Sequence, residues 1–171
     1  NLPYVLRHSP KTLSNFDLEA AAHIGAHIIG AQDRKRHERF QYHPLTRLST
    51  EDNCYYYIPL GVGAVVTPWN FPLAILGGMT MAAVVAGNTV VLKPSSDTPI
   101  LAYRLVEMAH EAGVPAGVIN LVPGSGGEIG DYMVTHPDVR FVSFTGSAEV
   151  GLRINEIIAK PVPRKKWMTR Y

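Results

Sequence analysis

Val62-Gly63-Ala64-Val65-Val66-Thr67-Pro68 and, one helix length later, Thr89-Val90-Val91-Leu92 are the two runs that decide the fold. The first reads as a short strand stopped by a proline, which has no N–H to give a ladder. The second is an unbroken β-branched and aliphatic run, the composition of a strand covered on both faces. Between them, Leu73 to Ala86 is rich in small residues and reads as a helix stopped by Gly87-Asn88. Strand, helix and strand at this spacing imply a crossover, and a crossover joins parallel strands.

Toward the carboxyl end the cycle repeats. Asp97-Thr98-Pro99 opens a helix with a capping side chain and Pro at its first position. Leu101, Leu105, Met108 and Ala112 line one face of that helix, and Gly113 and Pro115 end it. Val118 to Val122 reads as a strand, followed by a glycine turn and a helix from about Glu128 to His136. Val139 to Phe144 is a further strand, and Ser147 to about Lys160 a further helix. The expected fold class is α/β, a Rossmann-like doubly wound parallel sheet with helices on both faces. Toward the amino end, Tyr55 to Ile58 reads as one more strand. Residues 1–53 are rich in His and Arg and lack strand signals. There Ser14-Asn15-Phe16-Asp17 caps an expected helix to about Arg36, and residues 40–53 read as loop. The expected division is a helical and loop segment over 1–53 and a partial nucleotide-binding domain over 54–171.

Composition narrows the function. A chain of 171 residues with 46% hydrophobic and 18% charged residues suits one globular domain with a real core. The apolar stretch around Ala82 to Ala86 is too short to span a bilayer, so no membrane partner is expected. A net charge of +2 is too small to imply a nucleic-acid partner. The basic cluster Arg34-Lys35-Arg36-His37-Glu38-Arg39 reads as a solvated helix end. No charged leader with an apolar core opens the chain, so no secretory signal is expected, although Asn1 is not a Met. The one cysteine, Cys54, excludes an internal disulfide and suits a reducing compartment, the cytoplasm or alternatively the mitochondrial matrix.

Four segments carry residue types suited to chemistry, and each falls where a strand gives way to a loop. Thr67-Pro68-Trp69-Asn70-Phe71-Pro72 sets an amide among two prolines and two aromatics, at the end of the sheet where open α/β folds bind ligands. An amide held there donates to a developing oxyanion without a competing charge; the other reading is a proline-locked turn with a core tryptophan. Lys93, directly after a strand, reaches a sugar hydroxyl or phosphate, or is merely exposed. Gly124-Ser125-Gly126-Gly127-Glu128-Ile129-Gly130 fails the strict dinucleotide spacing at Ile129, yet its glycines let backbone approach a ligand closely. Phe144-Thr145-Gly146-Ser147 starts a helix, either as an anion site suited to a pyrophosphate or as an ordinary N-cap. The histidines offer less. His23 and His27 stand four apart without a third ligand, and Gln41 breaks the zincin pattern that His37-Glu38 begins, so no metal is expected. Cys54 has no base or helix start beside it and reads as a structural thiol.

Taken in order, these segments resemble the aldehyde dehydrogenase superfamily, and within it the 1-pyrroline-5-carboxylate dehydrogenase branch. The resemblance runs from about Tyr55 to Trp167. It rests on Tyr57-Ile58-Pro59-Leu60-Gly61-Val62, the Pro-Trp-Asn-Phe-Pro block, Gly87 to Pro94, Val122-Pro123-Gly124, and Phe144 to Ser147 followed by Glu149-Val150-Gly151. Residues 1–53 match it poorly. The resemblance implies that Asn70 donates its amide to the oxyanion of a thiohemiacetal, and that Trp69 borders the nicotinamide half of a dinucleotide site. It implies that Lys93 binds the adenosine ribose, and that Gly126 and Gly127 let adenine lie against backbone. Gly146 and Ser147 then hold the pyrophosphate, with Val150 packing nearby. At Ser96 many NAD-preferring members carry a glutamate that bonds the ribose. A small neutral serine repels a 2′-phosphate less, so NAD use with some tolerance of NADP is expected.

The family reaction needs a cysteine nucleophile and a glutamate base. By resemblance both fall beyond Tyr171, and Cys54 precedes the asparagine block, so this chain alone is expected not to catalyse. The intact protein is expected to oxidise glutamate γ-semialdehyde, the open form of 1-pyrroline-5-carboxylate, to glutamate, and to be a homo-oligomer. The longer connection around Arg153-Ile154, Lys160, Pro163 and Lys166-Trp167 carries that narrower resemblance. The alternatives are another aldehyde dehydrogenase, or a non-catalytic nucleotide-binding remnant.

Overall fold

Valine-rich segments separated by helices assemble into one parallel sheet. The computed structural model describes residue 50, residues 58–161, residue 163 and residues 165–171. The expected helix near residues 17–36, the basic cluster, His23, His27, Cys54 and most of the strand expected at Tyr55 to Ile58 lie outside the described residues. Four strands, β1 (Val62–Val66), β2 (Thr89–Lys93), β3 (Ile119–Leu121) and β4 (Val139–Phe144), pair in the order β3-β2-β1-β4, all parallel. The chain leaves β1 toward β2 and β3, then crosses back to place β4 on the other side of β1. The topological switch point therefore lies between β1 and β4, where a crevice opens outside the carboxyl ends of the strands. A parallel bridge between Phe141 and Arg170 adds a fifth line beside β4.

Side-chain alternation divides the core into two layers. On one face Val65, Val90 and Leu92 pack with Leu76 and Met81 of α1 (Ala74–Val85) and with Ala102, Leu105 and Ala109 of α2 (Pro99–Glu111). On the other, Ala64, Val139 and Val142 pack with Met133 and Val134 of α3 (Asp131–Thr135) and with Ile154 and Ile158 of α4 (Ala148–Ala159). A register shift between Val62 and Gly63 pairs them with Val139 and Phe141, skipping Arg140. The skipped residue lets Val139 and Val142 share a face and sends Arg140 over the Trp167 ring, 3.8 Å from its centroid.

Helices α1 and α2 end as glycine predicts. Gly87, at φ +84°, donates to the Val84 carbonyl at 2.9 Å, and Asn88 N–H reaches Ala83 O at 3.2 Å. Gly113 and Val114 repeat this pattern after α2, donating to His110 and Ala109. Asn88 also secures the entry to β1. Its Oδ1 accepts from Leu60 and Gly61 N–H at 2.7 and 3.0 Å, while Nδ2 donates to Ala83 O at 3.1 Å.

Three local expectations differ. Thr98 holds the N-cap position of α2 without a side-chain cap, and its hydroxyl is buried without a partner. Ser95 orders that turn instead, its carbonyl accepting from Thr98 N–H and its hydroxyl from Asp97 N–H. The buried face of α2 is Ala102, Leu105 and Ala109, with Ala112 exposed, a rotation of about one residue from the expected stripe. The helix expected from Glu128 begins earlier, as a π-helical turn over Gly126–Gly130 that runs into α3. Ser125 O accepts from both Glu128 and Ile129 N–H there, a wide turn that three glycines allow.

Candidate functional site

The carboxyl ends of β2, β1 and β4 stay in register past the last strand residues. Thr67 N–H donates to Lys93 O at 3.2 Å, and Thr145 N–H to Val66 O at 3.1 Å. This lines up the starts of three loops, those carrying Trp69 and Asn70, Ser95 and Ser96, and Gly146 and Ser147, along one rim. The loop after β3 joins them through the Ser96 hydroxyl, which donates to Gly124 O at 3.2 Å.

A cavity of about 380 Å³ opens at this rim on the α3 and α4 side, within the range of small-molecule sites. Its floor is Val66, Val134 and Lys93. One wall is the π-helical turn, through Gly126, Gly127 and Gly130, continuing into Asp131. The opposite wall is one face of α4, from Glu149 and Val150 to Arg153 and Ile154. The glycines are informative because the fold does not require them. A Cβ on Gly126 would come no closer than 3.9 Å to Lys93 Cε, one on Gly127 no closer than 3.8 Å to Ser125 Oγ, and one on Gly130 would meet nothing. The missing methyl groups enlarge the cavity and let a flat ligand approach backbone. Gly146 differs, because a Cβ there would stand 2.7 Å from the Phe144 ring, so packing alone demands glycine.

Lys93 is 5% exposed, and its ammonium donates to Pro94 O at 3.0 Å. Burial holds its pKa below the ordinary lysine value. One carbonyl leaves donor capacity on Nζ for a hydroxyl or phosphate in the cavity. Across the opening, Arg153 Nε and Nη2 donate to the two carboxylate oxygens of Asp131 at 3.2 and 2.5 Å. This two-point bond lowers the Asp131 pKa and raises that of Arg153.

Of the expected site residues, Lys93, Gly126, Gly127 and Val150 line this one cavity. Lys93 is buried at the cavity floor rather than merely exposed. Ser147 caps α4, its hydroxyl accepting from Val150 N–H at 3.3 Å. In the first turn of that helix, Glu149 and Val150 line the cavity. Trp69 is 63% exposed, so it is not a core tryptophan, and Asn70 beside it is exposed as well. Trp69, Asn70, Ser96, Gly146 and Ser147 thus stand on the rim loops and outside the cavity. Sequence reasoning gave no cavity role to Asp131, Glu149 or Arg153. The available signal was helical spacing from the Ser147 cap, which puts Glu149, Val150 and Arg153 on one face. Among the described residues no group of His, Cys, Asp or Glu is arranged to hold a metal, and no helix is long and apolar enough to cross a membrane.

The chain is 58% identical over 127 residues to 1-pyrroline-5-carboxylate dehydrogenase of Anoxybacillus flavithermus, covering 74% of this chain and 25% of that protein. The corresponding enzyme of Geobacillus thermodenitrificans is 57% identical over the same shares. Among solved structures, 1-pyrroline-5-carboxylate dehydrogenase from Thermus with bound NAD superposes with a TM-score of 0.79 at 40% identity, over 90% of this chain and 30% of that one. The chain therefore spans about a quarter of the length of the curated relatives it matches. A sequence model of the aldehyde dehydrogenase family matches residues 8–167, a range that takes in most of the segment 1–53 left outside the motif resemblance. With nearly all of its residues in that match and its parallel sheet in the same fold, the chain belongs to the aldehyde dehydrogenase family.

Proposed function

We propose that this chain supplies the adenosine-binding half of an NAD site and the oxyanion-binding asparagine of a longer aldehyde dehydrogenase, which oxidises glutamate γ-semialdehyde to glutamate. The cavity carries this reading. It stands at the carboxyl ends of the strands and has one wall of glycines whose missing Cβ atoms the fold would accept. A buried lysine with spare donors lies at its floor. Lys93 would hold the ribose, Gly126 and Gly127 the flat face of adenine, and Val150 its other face. Ser147 and the α4 start, beside Gly146, would face the pyrophosphate. Ser96, one loop away, sets how a 2′-phosphate is received.

NAD, when bound, accepts the hydride that leaves the aldehyde carbon. This chain's residues orient it and keep its adenosine end out of water. Asn70 is an exposed neutral amide on the rim loop, suited to donate an N–H to an oxygen that gains negative charge, and Trp69 beside it offers an apolar edge to the nicotinamide end. The semialdehyde as substrate rests on likeness to the two bacterial enzymes named above. The intact protein is taken to be a cytoplasmic homo-oligomer.

Calorimetric titration of the chain with AMP and NAD tests the cavity. Both are expected to bind, and Gly126→Val, which fills the glycine wall, is expected to weaken both by about tenfold or more. Binding that ignores the substitution would place the nucleotide elsewhere. In the longer enzyme, Asn70→Ala is expected to lower kcat about 10²- to 10³-fold with nucleotide affinity unchanged.

A further inference from the structure

We propose that the Asp131–Arg153 pair is a positioning clasp that sets the spacing of the two cavity walls, and so the affinity for the adenosine end of the nucleotide; this rests on the adenosine reading of the cavity. The two residues belong to opposite walls. Asp131 is the first residue after the π-helical turn Gly126–Gly130, and Arg153 lies in the second turn of α4. Both line the cavity, and two hydrogen bonds join them across its opening.

The turn needs an external fixture. Three of its five residues are glycine, a Cβ on Gly130 would meet no atom, and no residue of the turn is buried. A glycine wall with so little packing does not hold its own distance from α4. Helix α4 is anchored through Ile154 and Ile158, and α3, which begins at Asp131, through Met133 and Val134 in the same core, so the glycine turn is the part of the two walls without an anchor of its own. A guanidinium fork on a carboxylate fixes direction as well as distance, so it transfers the rigidity of α4 to the turn. The side chains of Arg153 and Asp131 are 64% and 49% exposed, too open for the pair to contribute much to global stability, and its effect is local.

Adenosine is the probe, because it carries no charge and a change of protein charge does not act on it directly. Dissociation constants come from chemical-shift titration of the full chain. Asp131→Asn and Arg153→Gln are each expected to weaken adenosine binding by about five- to tenfold, with Arg153→Lys between them and wild type. The exchanged pair Asp131→Arg with Arg153→Asp is expected to regain part of the loss. Glu156→Gln breaks an exposed ion pair on the same helix with Lys160 and is expected to bind as wild type does. Amide exchange is expected to speed up at Gly126–Gly130 in the clasp variants and not through the core strands, whereas a loss of global stability would speed both. If wild type binds adenosine and the single variants bind equally well, the clasp is overturned while the adenosine reading stands. If wild type binds neither adenosine nor AMP, the adenosine reading fails and the clasp falls with it. Loss in Glu156→Gln equal to that in Arg153→Gln would assign the effect to α4 stability and overturn the clasp as well.

Discussion

At Gly63 the sheet has no room for one more carbon, and at Lys93 it buries a charge. A Cβ on Gly63 would fall 2.0 Å from the Phe141 ring, in the middle of the central strand. Gly63→Ala is therefore expected to destabilise the chain by about 1–3 kcal/mol, read as a lower urea midpoint at unchanged slope. Lys93 raises a question of pH. Burial disfavours its charged form, so the folded chain releases this proton more readily than the unfolded chain, whose value is the ordinary 10.5. The burden on the fold is complete below the depressed folded pKa. It is relieved as pH rises through the window between that value and 10.5, so this group alone makes stability increase with pH there. Replacing it with methionine removes that contribution. The difference in urea midpoint between Lys93→Met and wild type is expected to shrink from about pH 7 to about pH 10.5, with the variant the more stable at the lower pH. A gap that stays constant would mean that Lys93 titrates as a free lysine does.

Elements show which parts of the structure were legible in advance. Strand β4 ran from Val139 to Phe144 as the valines required, and α1 and α4 ended within one residue of expectation. Local chemistry decides those places: a β-branched run, a glycine stop, a serine cap. The turn Gly126–Gly130 was not legible, because glycines carry no periodicity to distinguish a π-helical turn from a loop. The α2 face was misplaced for another reason. Small Ala102 and Ala109 are buried because α2 packs closely there, and a hydrophobicity pattern favours the larger Leu101 and Met108. In the site, Lys93 and the glycines were visible as loop residues after strands. Asp131 and Arg153 were not, since their partnership spans 22 residues and exists only after α3 and α4 pack. Asn88 has the same long-range character, holding Leu60 and Gly61 N–H across 28 and 27 residues. Asn88→Ala leaves those two donors and Ala83 O without this partner, and is expected to cost about 2–4 kcal/mol in denaturant unfolding. A loss below about 0.5 kcal/mol would mean that water replaces the amide fully.

For the whole molecule, the discriminating quantity is the preference between NAD and NADP, because it depends on how two loops from different crossovers meet. Ser96, in the entry loop of α2, donates to Gly124 O in the loop after β3, so a neutral hydroxyl stands on the rim outside the cavity. Lys93 stands three residues earlier, buried, with donor capacity for an oxygen. Arg153, the guanidinium on the opposite wall, already gives its Nε and Nη2 to the Asp131 carboxylate, which offsets its charge. A 2′-phosphate thus meets no carboxylate at Ser96 and gains no dedicated arginine. Repulsion and attraction are both weak, and the expected outcome is NAD bound more tightly than NADP by about ten- to a hundredfold, roughly 1.4–2.8 kcal/mol. Parallel calorimetric titrations of NAD and NADP against this chain measure the ratio. Ser96→Glu brings a carboxylate to the same loop position and is expected to widen the preference by a further factor of about ten or more while leaving AMP affinity within about twofold. A ratio above about a thousandfold in the unsubstituted chain, near 4 kcal/mol, would show that something other than residue 96 rejects the phosphate.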